Sequence, residues 1–201
     1  LGDVYKRQVL KFGGTSVGTI EKIKKVTDII IEHKKKKNKV IVVSSAMSGV
    51  TNDLIKKSKQ ISNNFIDSEY DVLVSSGEQV ACSLIAGRLN HKGFKSRSWL
   101  GWQIPIFTNG PYTNSRIQQV NKNKLLRFLK EGGIPIITGF QGVNMNERVT
   151  TIGRGGSDAS AIMIAKSFKA QRCIIYTDVE GVYTTDPNKL KKAKKIKVIS
   201  Y

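Results

Sequence analysis

An open, mostly parallel α/β sheet with helices on both faces is the fold class this sequence predicts, and three observations predict it. Short β-branched runs alternate with segments of helical period along most of the chain. Each of the four clearest apolar runs passes directly into a loop of small polar residues. No internal repeat and no Pro/Gly/Ser-rich linker interrupts the alternation, so the 201 residues read as one domain. In chain order, residues 9–12 (VLKF) form a short strand before glycines. Residues 19–33 carry Ile20, Ile23, Val26 and Ile30 at helical spacing. Residues 39–44 (KVIVVS) have the β-branched density of a strand buried on both faces. Helices are expected over 51–61 and 79–91, the second turning Ala81, Leu84 and Ile85 inward. A helix over 122–131 stops at Gly132-Gly133. Residues 134–138 form a strand, 158–168 a helix with Ile162, Ala165 and Phe168 inward, and 173–176 a strand. Pro105, Pro111 and the glycines from Gly101 to Gly110 suggest a looped or hairpin excursion.

The ends read differently. The chain begins with Leu1, and residues 1–8 fit no pattern that follows, so they are set aside as a non-native leader; residues 9–201 form the domain, which is expected to be truncated at its C-terminus.

Composition narrows the partners. Lys and Arg number 34 against 15 Asp and Glu, a formal charge of +19. The cations are scattered over helix surfaces and loops and do not alternate with aromatics, as a single-strand nucleic-acid groove would require. The field suits small anionic substrates, with no nucleic acid and no membrane as partner. No apolar run approaches the ~20 residues of a membrane span, and no signal-peptide pattern occurs, so the chain reads as cytoplasmic. Cys82 and Cys173 lie in apolar segments and read as reduced core thiols. His33 and His91 stand beside lysines at helix ends and read as surface residues, and no metal-ligand cluster is apparent.

The chemistry concentrates where strands end. In an open α/β sheet, ligands bind beyond the carboxyl ends of the strands. Lys11-Phe12-Gly13-Gly14-Thr15-Ser16 joins a cation to glycines that let backbone N–H groups approach phosphate oxygens, ahead of a positive helix terminus. The spacing matches neither the P-loop nor the dinucleotide fingerprint. Gly153-Arg154-Gly155-Gly156-Ser157-Asp158 offers a guanidinium that can clasp a carboxylate, and Ser157 and Asp158 stand where they could cap a helix. Ser76-Gly77-Glu78 precedes a helix; Glu78 is either a first-turn acid or the partner of a substrate ammonium. Residues 177–187 (TDVEGVYTTDP) form a turn-rich loop in which Tyr183 either stacks on a base or covers the core.

Taken together and in this order, KFGGTSV, SSAMSGVTN, SGE, GFQGV, TIGRGGSD and TDVEGVYTTDP resemble the amino-acid kinase family, and within it the aspartate kinases. The resemblance runs from Val9 to Tyr201. It implies transfer of the ATP γ-phosphate to the side-chain carboxylate of L-aspartate, with Mg²⁺, in an α/β/α sandwich that forms a homo-oligomer at full length. It further implies that Lys11 and Asp158 are catalytic, Asp158 ordering the active-site lysines. Lys11, Gly13, Gly14 and Thr15 would hold phosphates, and Thr177, Asp178, Tyr183 and Asp186 would line the nucleotide pocket. Ser45, Thr51, Glu78, Arg154, Gly155, Gly156 and Ser157 would hold aspartate, with Arg154 on its α-carboxylate and Glu78 near its ammonium. Two departures stand out. Asn188 follows Asp186-Pro187 where the family often has Arg, and the family's second phosphate-binding lysine and its regulatory ACT domains fall outside these residues. The resemblance leaves acetylglutamate, glutamate or UMP kinase as rivals within the family, and a basic nucleic-acid-binding module outside it.

Overall fold

Parallel pairing is the economical arrangement for strands buried on both faces, because each crossover can lay a helix against the sheet. In the computed structural model, which describes residues 6–153, 155–178 and 194, β1 (Arg7–Phe12), β2 (Lys39–Ser44), β3 (Ser96–Trp99), β6 (Ile134–Thr138) and β9 (Arg172–Tyr176) form one parallel sheet of order β3-β6-β2-β1-β9. Strand alternation sorts its side chains. Leu10, Phe12, Val40, Val42, Ile134 and Ile136 face one core, closed by α1 (Ile20–Lys35) and α3 (Asp67–His91). Val9, Ile41, Val43 and Ile137 face the other, closed by α4 (Asn123–Lys130) and α5 (Gly156–Ser167). Helices therefore cover both faces, as the sequence predicts. The remaining helix, α2 (Val50–Ile61), packs on α3.

A second sheet rises beside the first. Of the loop or hairpin that the sequence allowed, β4 (Ile106–Asn109) and β5 (Arg116–Val120) form a hairpin, and β7 (Gln141–Val143) and β8 (Val149–Thr151) extend it in the order β5-β4-β7-β8. Buried Asp71 of α3 fastens this sheet to the main body. Its carboxylate accepts from the Thr113 amide at 3.0 and 3.1 Å, the Thr151 amide at 2.8 Å and the Thr151 hydroxyl at 2.6 Å. Truncating Asp71 would orphan three buried or half-buried donors, each costing about 1–3 kcal/mol. Asp71→Ala is expected to lower thermal stability by roughly 6–12 °C, as for a loss of about 3 kcal/mol. Asp71→Asn should fall far less, because its oxygen can still accept the two amides. Circular dichroism melts compare the two.

Several sequence expectations change. The strand expected from residue 9 begins at Arg7, so Arg7 and Gln8 belong to the sheet, with Gln8 nearly buried. The helix expected from residue 79 begins at Asp67, so Ser76-Gly77-Glu78 lies within α3 and does not precede a helix. Leu84 and Ile162 are exposed; Ala81, Cys82, Ile85 and Leu89 face inward from α3, and Ala161, Ile164 and Phe168 from α5. A segment apolar on every side, such as AIMIA, cannot fix its own inward face. Cys173 is exposed, because β9 is an edge strand among the described residues, whereas Cys82 is buried and its thiol is pushed up by burial. His33 is half-buried and bridges Gln8 Oε1 at 2.7 Å and the Tyr176 hydroxyl at 3.0 Å, tying α1 to β1 and β9; His91 is exposed as expected. No described helix is long and apolar enough to cross a membrane.

Candidate active site

Four strand ends are stitched together at one edge of the parallel sheet. The Gly13 amide donates to the Tyr176 carbonyl at 3.2 Å, the Ser45 amide to Phe12 at 3.0 Å, and the Gly139 amide to Ser44 at 3.0 Å. The loops leaving β9, β1, β2 and β6 are thereby held side by side. Close approach depends on the glycines. A Cβ on Gly139 would lie 2.8 Å from Cβ of Ser157, and one on Gly14 would lie 3.0 Å from the Ala46 carbonyl oxygen.

Between these loops lies a cavity of about 300 Å³, lined in part by Gly14, Ser45, Thr51, Gly155, Gly156 and Ser157. Glu78 also lines it. Two helices start at its wall, α2 after Gly49 and α5 after Gly155. Both of these residues are left-handed (φ 87° and 76°), and neither helix has a side chain capping its first turn. Their N-terminal dipole ends converge on the cavity, a setting that favours an anion. Ser157 and Asp158 therefore do not cap α5 as the sequence suggested; Gly155 holds that position. The Ser45 hydroxyl instead donates to the Ser157 hydroxyl at 2.9 Å across the cavity wall.

Opposite charges flank this positive end. Glu78 is only 3% exposed; its Oε1 accepts from the Ala46 amide at 3.1 Å and its Oε2 has no partner. Burial pushes its carboxyl up to about 7, against a smaller opposing pull from the Ala46 amide. Its position in α3 rests on Gly77, where a Cβ would come within 2.9 Å of the Ala46 methyl. On the other side, buried Lys11 reaches Asp158 of α5, Nζ to Oδ1 2.5 Å. Gly13 abuts the same ammonium: a Cβ there would lie 3.5 Å from Lys11 Nζ. The Lys11 ammonium thus stands beside Gly13, the chain neighbour of Gly14 in the cavity wall.

The structure gathers Lys11, Gly13, Gly14, Ser45, Thr51, Glu78, Gly155, Gly156, Ser157 and Asp158 at one edge. Thr15 is exposed in the same loop, its carbonyl accepting from Lys22 Nζ at 2.9 Å. Thr177 and Asp178 are exposed just past β9, joined by a 3.0 Å hydrogen bond. Arg154, Tyr183 and Asp186 lie outside the described residues. Sequence reasoning passed over Asn52 and Phe140, which also line the cavity; both lie in motifs it singled out, SSAMSGVTN and GFQGV.

An open parallel sheet whose glycine loops and two helix N-termini close on a small cavity defines the class of α/β proteins that bind anions beyond their strand ends. The chain belongs to the amino acid kinase family, whose model matches residues 6–201. It is 50% identical to the aspartokinase of Geobacillus stearothermophilus over 193 residues, 96% of this chain and 47% of that protein. Among solved structures, E. coli aspartokinase III in complex with aspartate and ADP superposes with a TM-score of 0.82 at 27% identity, covering 95% of this chain and 53% of that one. The aspartate kinase of Synechocystis gives 0.77 at 39% identity, covering 93% and 31%. The chain spans about half the length of the curated relatives it matches.

Proposed function

We propose that this chain is the phosphotransferase portion of an aspartate kinase, moving the γ-phosphate of ATP to the side-chain carboxylate of L-aspartate. One observation carries the reading: a single cavity joins two helix N-termini, suited to carboxylates, to a buried acid with an unpartnered oxygen, suited to an ammonium. A carboxylate phosphoryl acceptor that also carries an ammonium is a free amino acid, which disfavours acetylglutamate and UMP. The similarity to aspartokinases supports the same substrate.

The acceptor needs no general base, because a free aspartate carboxylate (reference pKa about 3.9) is ionised at neutral pH. The task is to bring two anions together, so positioned positive charge dominates. Lys11 stands between the cavity and the end of β9, where it can meet the transferring phosphoryl group. Asp158 fixes its ammonium. Gly13 and Gly14 admit phosphate oxygens to backbone amides, and Thr15, Thr177, Asp178, Tyr183 and Asp186 are assigned to the nucleotide. Ser45, Thr51, Gly155, Gly156 and Ser157 orient aspartate, Glu78 takes its ammonium, and Arg154 its α-carboxylate. Transfer is in line, without a phospho-enzyme. Among the described residues no group of three or more His, Cys, Asp or Glu is placed to cage a metal. A Mg²⁺ bound together with ATP would neutralise the charge of its phosphates.

The test is hydroxamate formation in the full-length protein with ATP and L-aspartate, acetylglutamate or glutamate, and a coupled ADP assay with UMP. Aspartate is expected to exceed acetylglutamate and UMP by at least about 10²-fold in kcat/KM, because a site built around paired polar groups rejects ligands that leave them unpaired, and glutamate by about tenfold or more, the discrimination one methylene gives. Equal or greater turnover of acetylglutamate would overturn the assignment.

A further inference from the structure

A second pocket, of about 570 Å³, opens at the β3 edge of the sheet on the α4 side and shares no lining residue with the cleft. Aromatic and cationic side chains dominate its wall: Trp99, Trp102 and Phe128 with Arg97, Lys124 and Arg127. Its one acid, Glu131, is paired with Lys95 at 2.6 Å and held below the usual carboxylate range by that contact. The cations therefore leave a net positive wall. Arg97 Cζ sits over the Trp99 ring, 4.1 Å from its centroid, which restrains its guanidinium. Phe128 meets Trp99 edge-on at 5.8 Å and fixes the indole from the other side. Lys124 spends one N–H on the Gln103 carbonyl at 3.1 Å and keeps two. The Arg127 guanidinium makes no hydrogen bond or salt bridge among the described residues, although its charge helps to lower the Glu131 carboxyl. Trp102 is 51% exposed and has no ring partner among them.

An exposed indole beside restrained guanidinium and ammonium groups matches a ligand with a planar ring at one end and an anion at the other. The volume lies in the range of small-molecule sites. We propose that this pocket binds a mononucleotide-type ligand, its base on Trp102 and its phosphate between Lys124 and Arg127, separately from the nucleotide used in catalysis. A single-stranded nucleic acid is disfavoured, because it needs successive stacking platforms along a basic groove and this wall offers one free indole. The inference does not depend on the catalytic assignment.

Trp99 and Trp102 are the only tryptophans in the chain, so intrinsic fluorescence reads this pocket directly. The experiment titrates the 201-residue chain with adenosine 5′-monophosphate, adenosine alone and inorganic phosphate, with absorbance correction. Saturable quenching by the monophosphate in the range of about 0.1–1 mM is expected, with each half of the molecule at least tenfold weaker. Arg127→Gln should weaken binding at least tenfold. Trp102→Ala should do the same, read through Trp99; both positions are exposed, so the fold should be unaffected. Lys11→Ala should bind unchanged. Absent quenching, a wild-type midpoint in either the Arg127 or the Trp102 variant, or loss of quenching in Lys11→Ala would overturn the proposal. So would an oligo-dT that binds a hundredfold more tightly than the monophosphate with a steep salt dependence, which would make the surface a nucleic-acid site.

Discussion

Lys11→Ala in the full-length protein is expected to lower kcat by roughly 10²–10³ while changing the KM for ATP by less than about tenfold. The expectation follows from where the charge sits. Lys11 is on β1, almost out of solvent, with its ammonium 2.5 Å from Asp158 and against the Gly13 backbone. A charge held this way needs no reorganisation when negative charge builds on the transferring phosphoryl group, so its benefit falls on the transition state more than on bound ATP. The fold should survive, since Asp158 is partly exposed and can be rehydrated once its partner is gone. Steady-state kinetics with both substrates, alongside a melting curve, read the result. Turnover within a few-fold of wild type would remove Lys11 from the mechanism.

The second large effect is expected at Glu78. Burial pushes its carboxyl up to about 7, and only its ionised form can pair with an ammonium. Aspartate binding should therefore tighten as pH rises from about 5.5 to 7.5. Glu78→Gln should weaken it by about 10- to 100-fold at the upper end, the range of a charge-assisted hydrogen bond, and should flatten the pH profile. Stability runs the other way. Folding raises this group's pKa, so its contribution is fully present below the ordinary carboxylate value and is lost as pH rises through about 7. In the absence of aspartate, wild type should lose about 3 kcal/mol relative to the Gln variant between pH 4 and 8. Calorimetric titration and denaturant melts across that range give both slopes. A pH-independent aspartate affinity in wild type would show that Glu78 does not meet the ammonium.

Sequence by itself determined the parallel sheet and the edge on which the site lies. KVIVVS, VLKF and IPIIT are short and mostly β-branched or apolar, and each runs into small residues; burial on both faces and glycine-mediated approach leave a signature that neighbours in the chain carry alone. The α4 stop at Gly132, whose φ is +81°, is local in the same sense. What only the tertiary structure decided concerns polar and small residues inside elements. Gly77 and Glu78, which the sequence placed ahead of a helix, are buried inside α3 together with Asp71 and Ser75. Their partners come from elsewhere in the chain: Thr113 and Thr151 for Asp71, the Ala46 amide for Glu78, and Ala46 again as the methyl that Gly77 admits. A buried polar group is stable only when paired, and no window of α3 contains those partners. Likewise the inward face of AIMIA, the bridge made by His33 and the joining of Ser45 to Ser157 across 112 positions were set by which surfaces met. Periodicity reports how a segment divides its own faces, whereas the contacts that complete a site form between segments distant in sequence.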